Sequence, residues 1–262
     1  MRFFALLYTP PELRDAVTSL FVIDAEIRES AQSANHDVAH TRLQWWRTEI
    51  DRLVNGGPQH PATKLIHSDD ASRRREFAKL HELVVAADMD LARMTYVNAN
   101  ELRAYASRSG GAVAELIAIA LDEKADAAAR ALANRLGIAV RLAEIVRDAR
   151  ADAYGGRLYV PLDVLDSHGA RLEDFAAKEY GAPAKAALRA VAAIASEGFD
   201  AAMADIYRSS RAYLRPLVVL AALHRRLLRQ IAKRDFDVAS ERVDLGPLEK
   251  PWTAWRAARK AR

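Results

Sequence analysis

Hydrophobic positions along this chain recur at intervals of three and four residues, and alternation of period two is essentially absent, so the pattern predicts an all-α protein. The most informative stretch runs from Gly137 to Ala153, GIAVRLAEIVRDARADA. At about 100° per residue, Gly137, Arg141, Glu144, Asp148 and Asp152 fall on one narrow stripe, flanked by Ile138, Val140, Leu142, Ile145 and Val146. A surface helix has one broad polar face. A thin charged stripe between apolar flanks instead indicates a buried helix turned toward a polar cavity. Gly155-Gly156 should end this helix, after which Arg157-Leu158-Tyr159-Val160 runs extended into Pro161. Glu144, Asp148 and Asp152 are spaced i, i+4, where like charges repel by a few tenths of a kcal/mol per pair. Arginines, metal ions or both must offset that repulsion. Spacing alone favours a helix closed internally by Arg141, Arg147 and Arg150 over a ligand site.

The same periodicity outlines the other helices. Pro10-Pro11-Glu12 opens the first long one, whose apolar face of Leu13, Ala16, Val17, Leu20, Ile23 and Ile27 contains Asp24, with Arg28 one turn on as a neutralising partner. A second holds Arg42-Leu43-Gln44-Trp45-Trp46-Arg47, with Ile50 and Leu53 at core spacing, and stops at Gly56-Gly57-Pro58; its tryptophans read as core. Residues 72–97 form one or two helices with a mixed charged face. Glu101 to Leu121 forms another, interrupted by Gly110-Gly111. Mid-helix glycines cost about 1 kcal/mol each against alanine, so a close helix contact or a substrate approach should compensate. A connecting stretch (Leu162 to Phe175) leads to an alanine-rich helix (Ala182 to Tyr207). A strongly apolar helix central to the bundle follows (Tyr213 to Ala232), then a closing loop (Asp235 to Lys250). Trp252 to Arg262 is a basic tail, read first as a solvated terminus and second as a surface for anionic lipid headgroups.

Composition narrows the classes. A chain of 262 residues, 51% hydrophobic and 28% charged, suits a single globular domain spanning residues 1–262, its basic tail starting near 252. A net charge of +4 accommodates diphosphates or anionic lipids without demanding them, and nothing points to nucleic acid. The absence of cysteine removes disulfides and thiolate metal sites. No signal peptide is read after Met1-Arg2, and the longest apolar run, Leu217 to Leu223, is far too short to span a bilayer, so a cytoplasmic, at most membrane-peripheral, protein is expected. His36-Asp37-Val38-Ala39-His40 mimics a zinc-hydrolase motif, but its acid is short and no third ligand stands out.

Arg147-Asp148 with Asp152, followed by Gly156-Arg157, Tyr159 and Pro161, resembles the second aspartate-rich motif of the squalene and phytoene synthase family, with Arg141 and Glu144 where that family usually has glutamine and asparagine. Tyr105 to Gly111 is similar to its Y-x-x-x-x-A-G segment, and Arg42-Leu43-Gln44-Trp45-Trp46-Arg47 to the branch containing complex I assembly factors. The resemblance implies an isoprenoid-synthase-type helical bundle around a central pocket. It also implies Mg²⁺-dependent condensation of prenyl diphosphates, with Asp148 and Asp152 catalytic and, together with Glu144, ligating Mg²⁺. Arg147, Arg157, Tyr159, Arg141, Arg108 and Tyr105 would contact substrate. Aligned through Leu20-Phe21, however, the first aspartate motif falls on Arg28, Glu29 and Gln32 and is missing as such. Two readings therefore stand side by side: a prenyl diphosphate transferase, or a catalytically lapsed relative that binds a prenyl lipid or a partner protein.

Overall fold

The helix expected to be buried is α9 (Ala127–Tyr154), and the other helices of the computed structural model, which describes residues 1–209 and 211–261, are arranged around it. Asp126 caps its start, its carboxylate accepting from the Ala129 N–H. Its end is set by Gly156. At φ +72° this residue adopts a left-handed turn, and the Arg157 N–H closes back onto the Asp152 carbonyl at 2.8 Å. That reversal brings Arg157 and Tyr159 alongside the helix that precedes them.

The chain enters through a short helix, α1 (Arg2–Leu7), that the periodicity does not reveal. Pro11–Leu13 is a 3₁₀ turn, and the long helix α2 proper spans Arg14–Ser30. Next comes α3 (His36–Asn55), capped by Asn35 and ended by Gly56 at φ +90°. The tryptophan pair divides: Trp46 is buried, whereas Trp45 is 40% exposed. Short helices α4 (Pro61–Leu65) and α5 (Ala71–Glu76) lead to α6 (His81–Leu91). The buried Glu49 carboxylate holds the α3–α4 link by accepting from the Gln59 and His60 N–H groups and the Thr63 hydroxyl.

α7 (Ala99–Ala106) and α8 (Ala112–Leu121) form one run joined by a π-helical segment, Ser107–Gly111, that packs directly on α9. A β-carbon at Gly137 would lie 2.2 Å from the Gly110 carbonyl oxygen, and one at Gly110 would lie 2.4 Å from that of Gly137. Gly110 is thus matched by a third glycine across a backbone contact that any side chain would break, while Gly111 leaves room for the Asn134 side chain.

The connection after Pro161 folds into two short helices, α10 (Leu162–His168) and α11 (Leu172–Ala176), before α12 (Ala182–Ser209) and the apolar α13 (Arg215–Lys233). α12 and α13 pack along α9. The basic tail is a helix, α14 (Glu249–Lys260), seated on α13 through buried Ala254, Ala257 and Ala258; Arg262 lies outside the described residues. Buried apolar residues form one continuous core, the described residues contain no strand, and the fold is an all-α bundle. No helix among them is long and apolar enough to cross a membrane.

Candidate functional site

The stripe on α9 faces two adjoining cavities. One, about 200 Å³, is polar and lined by Arg28, Gln32, Asp90, Arg141, Glu144, Arg147, Asp148, Asp152, Arg157 and Tyr159. The other, about 220 Å³, has walls of Phe21, Val113, Ile117, Leu136, Val140, Leu217 and Leu220. Arg28, Glu144 and Arg147 line both and mark where they meet.

Within the polar cavity most of the charges are matched, although Asp152 and Arg157 have no ion pair among the described residues. Arg28, from α2, donates from Nε to Asp24 at 2.8 Å and from Nη1 to Glu144 at 3.4 Å, bridging α2 to α9. Asp24 also pairs with Arg2. Burial opposes the Arg28 charge, but Asp24 and Glu144 outweigh it and hold its pKa above the ordinary value. Glu144 is likewise buried at a cost, yet His224 (Nε2 at 3.7 Å), Arg28 and Arg141 keep its pKa well below the usual carboxylate range. His224 has its Nδ1 against the Leu220 carbonyl at 2.8 Å, which turns Nε2 toward Glu144.

Arg141 lies across the rings of Tyr105 and Tyr159, at 5.4 and 5.1 Å, and donates from Nη2 to the Tyr105 hydroxyl at 2.7 Å. Both tyrosine hydroxyls donate to Asp90 of α6, Tyr105 at 3.0 Å and Tyr159 at 2.7 Å. Sequence reasoning missed His224 and Arg242 of this site, and it also missed Asp90. Its signal was available: it follows Leu83 and Ala87 at i+7 and i+3 on the buried side of α6, where a carboxylate has no place without partners.

Asp148 accepts from Arg147 Nε and from Arg242 Nε, both at 2.9 Å, and although burial opposes its ionisation these partners lower its pKa. Asp152 has no such pairing. Burial pushes its pKa up to about 6, with Arg141 pulling it back and Asp148 adding to the rise. A carboxyl raised in the folded state binds more protons than its unfolded counterpart between about pH 4 and 6, so its contribution to stability falls as pH rises through that window. Asp152→Asn should therefore stabilise the protein by about 1–2 kcal/mol near neutral pH and leave it unchanged near pH 4. Parallel melting-temperature profiles for variant and wild type across that range would refute this.

Of the residues named from sequence, Arg141, Glu144, Arg147, Asp148, Asp152, Arg157 and Tyr159 all line the polar cavity, and Tyr105 is buried beneath Arg141. Arg108 corrects the expectation. It lines neither cavity and pairs instead with Glu82 near the surface, because the π-helical segment turns that side of the run toward α6. Arg28 of α2 and Gln32, in the turn after that helix, line the cavity but Glu29 does not; it shares a separate cleft with Glu26, Trp45, Trp46 and His60. His36 and His40 are exposed, away from the cavities.

A Mg²⁺ clamp does not fit these side chains. Among the described residues no three His, Asp or Glu groups converge as metal ligands. Glu144 is surrounded by two guanidinium groups and an imidazole, Asp148 is held by two arginines, and the opposing helix presents Arg28 where an anionic ligand would be needed.

An all-α bundle with a charged compartment opening onto an apolar one has the architecture of an isoprenoid-synthase-type protein. Its backbone superposes on a dehydrosqualene synthase crystallised with ligand at a TM-score of 0.85, with 15% identity, covering 98% of this chain and 90% of that one. Against squalene synthase HpnC from Alicyclobacillus acidocaldarius the TM-score is 0.75 with 20% identity, over 89% of this chain and 88% of the other. Residues 2–249 match the squalene/phytoene synthase family, and the chain belongs to it. It is 25% identical to phytoene synthase 1 of Arabidopsis thaliana over 93% of its own length, but spans only 59% of that protein. It is 26% identical to the phytoene synthase of Mycobacterium tuberculosis, over 96% of this chain and 84% of the relative.

Proposed function

We propose that this protein binds a prenyl diphosphate or a closely related anionic lipid, and that it is a family member whose metal-dependent transfer chemistry has lapsed. The observation that carries this reading is the Arg28–Glu144 ion pair. Prenyl transfer in this family needs the diphosphate to be drawn off by metal ions held from two sides. Here a fixed guanidinium joins the two helices directly and would repel Mg²⁺ from the α2 side.

Binding itself is well provided for. Arg147 and Arg157 sit in the polar cavity as charge-assisted donors for a diphosphate, and the buried Arg141 Nε–H has no protein acceptor. The adjoining apolar cavity takes the hydrocarbon and excludes water from it. Tyr159 and Tyr105, fixed by Asp90, keep the Arg141 guanidinium in place through their rings and the Tyr105 hydroxyl. The transferase reading is supported by Asp148 and Asp152, which face the same cavity as those arginines.

The test pairs calorimetry with product release. Farnesyl thiodiphosphate should bind in EDTA, and Arg147→Gln or Arg157→Gln should each weaken it by about 10- to 100-fold. Farnesyl diphosphate with Mg²⁺ should yield little pyrophosphate. Brisk release by the wild type would establish the transferase instead, and binding that requires Mg²⁺ would overturn the metal-free reading.

A further inference from the structure

The outer stripe of α14 has the wrong chemistry for a helix facing only water. Leu248, Trp252, Trp255 and Arg259 succeed one another at i, i+4, i+7 and i+11, so they share one face, opposite the buried alanines that seat the helix on α13. Leu248 is 83% exposed, Trp252 58% and Trp255 41%. The two indoles stack with centroids 5.0 Å apart, and the Arg259 guanidinium lies 4.8 Å over the Trp255 ring. The stripe thus runs from apolar through amphipathic aromatic to cationic.

Its surroundings carry uncompensated positive charge. A groove of about 310 Å³ between α13 and α14 is bordered by Trp252, Arg229, Arg256 and Lys260. Arg225 and Arg226 have acidic partners in Asp200 and Glu249. Arg229, Arg256, Arg259 and Lys260 form no ion pair among the described residues, which leaves their charge on this face for an external anion. α1, which packs against α14, adds exposed Phe3 and Leu7.

We infer that α14 docks this protein on an anionic phospholipid bilayer, with Leu248, Trp252 and Trp255 entering the headgroup layer and the neighbouring cations contacting lipid phosphates. Tryptophan settles at that depth because its ring is apolar and its N–H can still reach water or phosphate. Basic residues beside it add attraction to a negative leaflet. A bilayer also needs no complementary shape from so scattered an apolar surface, as a protein partner would. None of these residues lines the two cavities, so the inference stands or falls apart from the proposed ligand.

Co-sedimentation with vesicles tests it, using phosphatidylcholine alone and with about one third phosphatidylglycerol. The wild type should partition at least about tenfold more strongly onto the anionic vesicles, and high salt should release it. Trp252→Ser with Trp255→Ser should lower partitioning about tenfold or more. Arg256→Gln with Arg259→Gln should lower it about 25-fold, roughly fivefold for each charge removed. Unchanged melting temperatures would verify that these exposed substitutions leave the fold intact. Failure of the wild type to bind anionic vesicles, or undiminished binding by both double variants, would overturn the proposal and leave this face to a protein partner.

Discussion

Replacing Glu144 with glutamine is expected to destabilise the protein by about 3 kcal/mol, a fall in melting temperature of roughly 6–12 °C. The substitution keeps the size of the side chain and removes only its charge. Arg28 keeps Asp24 but loses its partner on α9, and Arg141 loses one of the groups that offset its burial, so part of the cost of burying the two guanidinium groups is no longer compensated. The figure is set at the lower end for a broken buried pair because the Arg28 and Glu144 side chains are still 23% and 16% exposed. Replacing Arg28 with glutamine in the same chain should recover part of the loss, and a double-mutant cycle measures the coupling. Acid should erase the difference. Glu144 has a depressed folded-state pKa, so its contribution is complete above the unfolded value of about 4.3 and fades as pH drops below it. Thermal melts of wild type and variant at neutral pH and in acid decide the matter: equal stabilities at neutral pH would mean that the network is not what holds α2 against α9.

Gly137→Ala carries the second large effect, and its sign separates local from tertiary causes. In an isolated helix alanine is better than glycine by about 1 kcal/mol. In this fold the added methyl would stand 2.2 Å from the Gly110 carbonyl oxygen, which is backbone and cannot rotate away. α9 and the π-helical segment must separate, and a loss of about 3 kcal/mol is expected. Gly57→Ala is the control: nothing lies within 4 Å of a β-carbon there, and stability should change by less than about 0.5 kcal/mol. Denaturant midpoints for the two variants provide the comparison. A Gly137→Ala protein as stable as wild type would show that the helices can move apart freely. Because Gly137 also borders the apolar cavity, the substitution should weaken binding of a prenyl chain as well.

Several residues of the site could be read before any coordinates because they lie on one helix. Arg141, Glu144, Asp148 and Asp152 repeat at a spacing that places them on a single stripe, and the apolar residues on both sides show that the stripe is enclosed. Asp24 and Arg28 were legible for the same reason, being one turn apart within an apolar face. Asp90 and His224 were missed: each meets the stripe from a different helix, and although the buried side of α6 marks Asp90 as a carboxylate in need of partners, neither local sequence shows which groups it will face. Arg108 shows the converse error. The family resemblance placed it against substrate, whereas it lies on the π-helical segment and pairs with Glu82.

The sequence by itself determined the long helices, though not α1, α10, α11 or the π-helical segment: helical periodicity, the glycine stops, and which faces must be buried are local consequences of side-chain spacing and backbone preference. It also determined that α9 must carry compensated charge, because three carboxylates one turn apart repel wherever the helix is placed. What compensates them was decided only by the tertiary structure. Arg28 lies 116 positions from Glu144 and Arg242 94 positions from Asp148, and no periodicity relates them. The same holds for the tail. Its composition announced tryptophan and positive charge, but only its seating on α13 determined that the alanines turn inward and the indoles remain exposed. Coulombic and packing energies depend on distance in space, which a chain specifies through its whole fold and not through any one stretch of it.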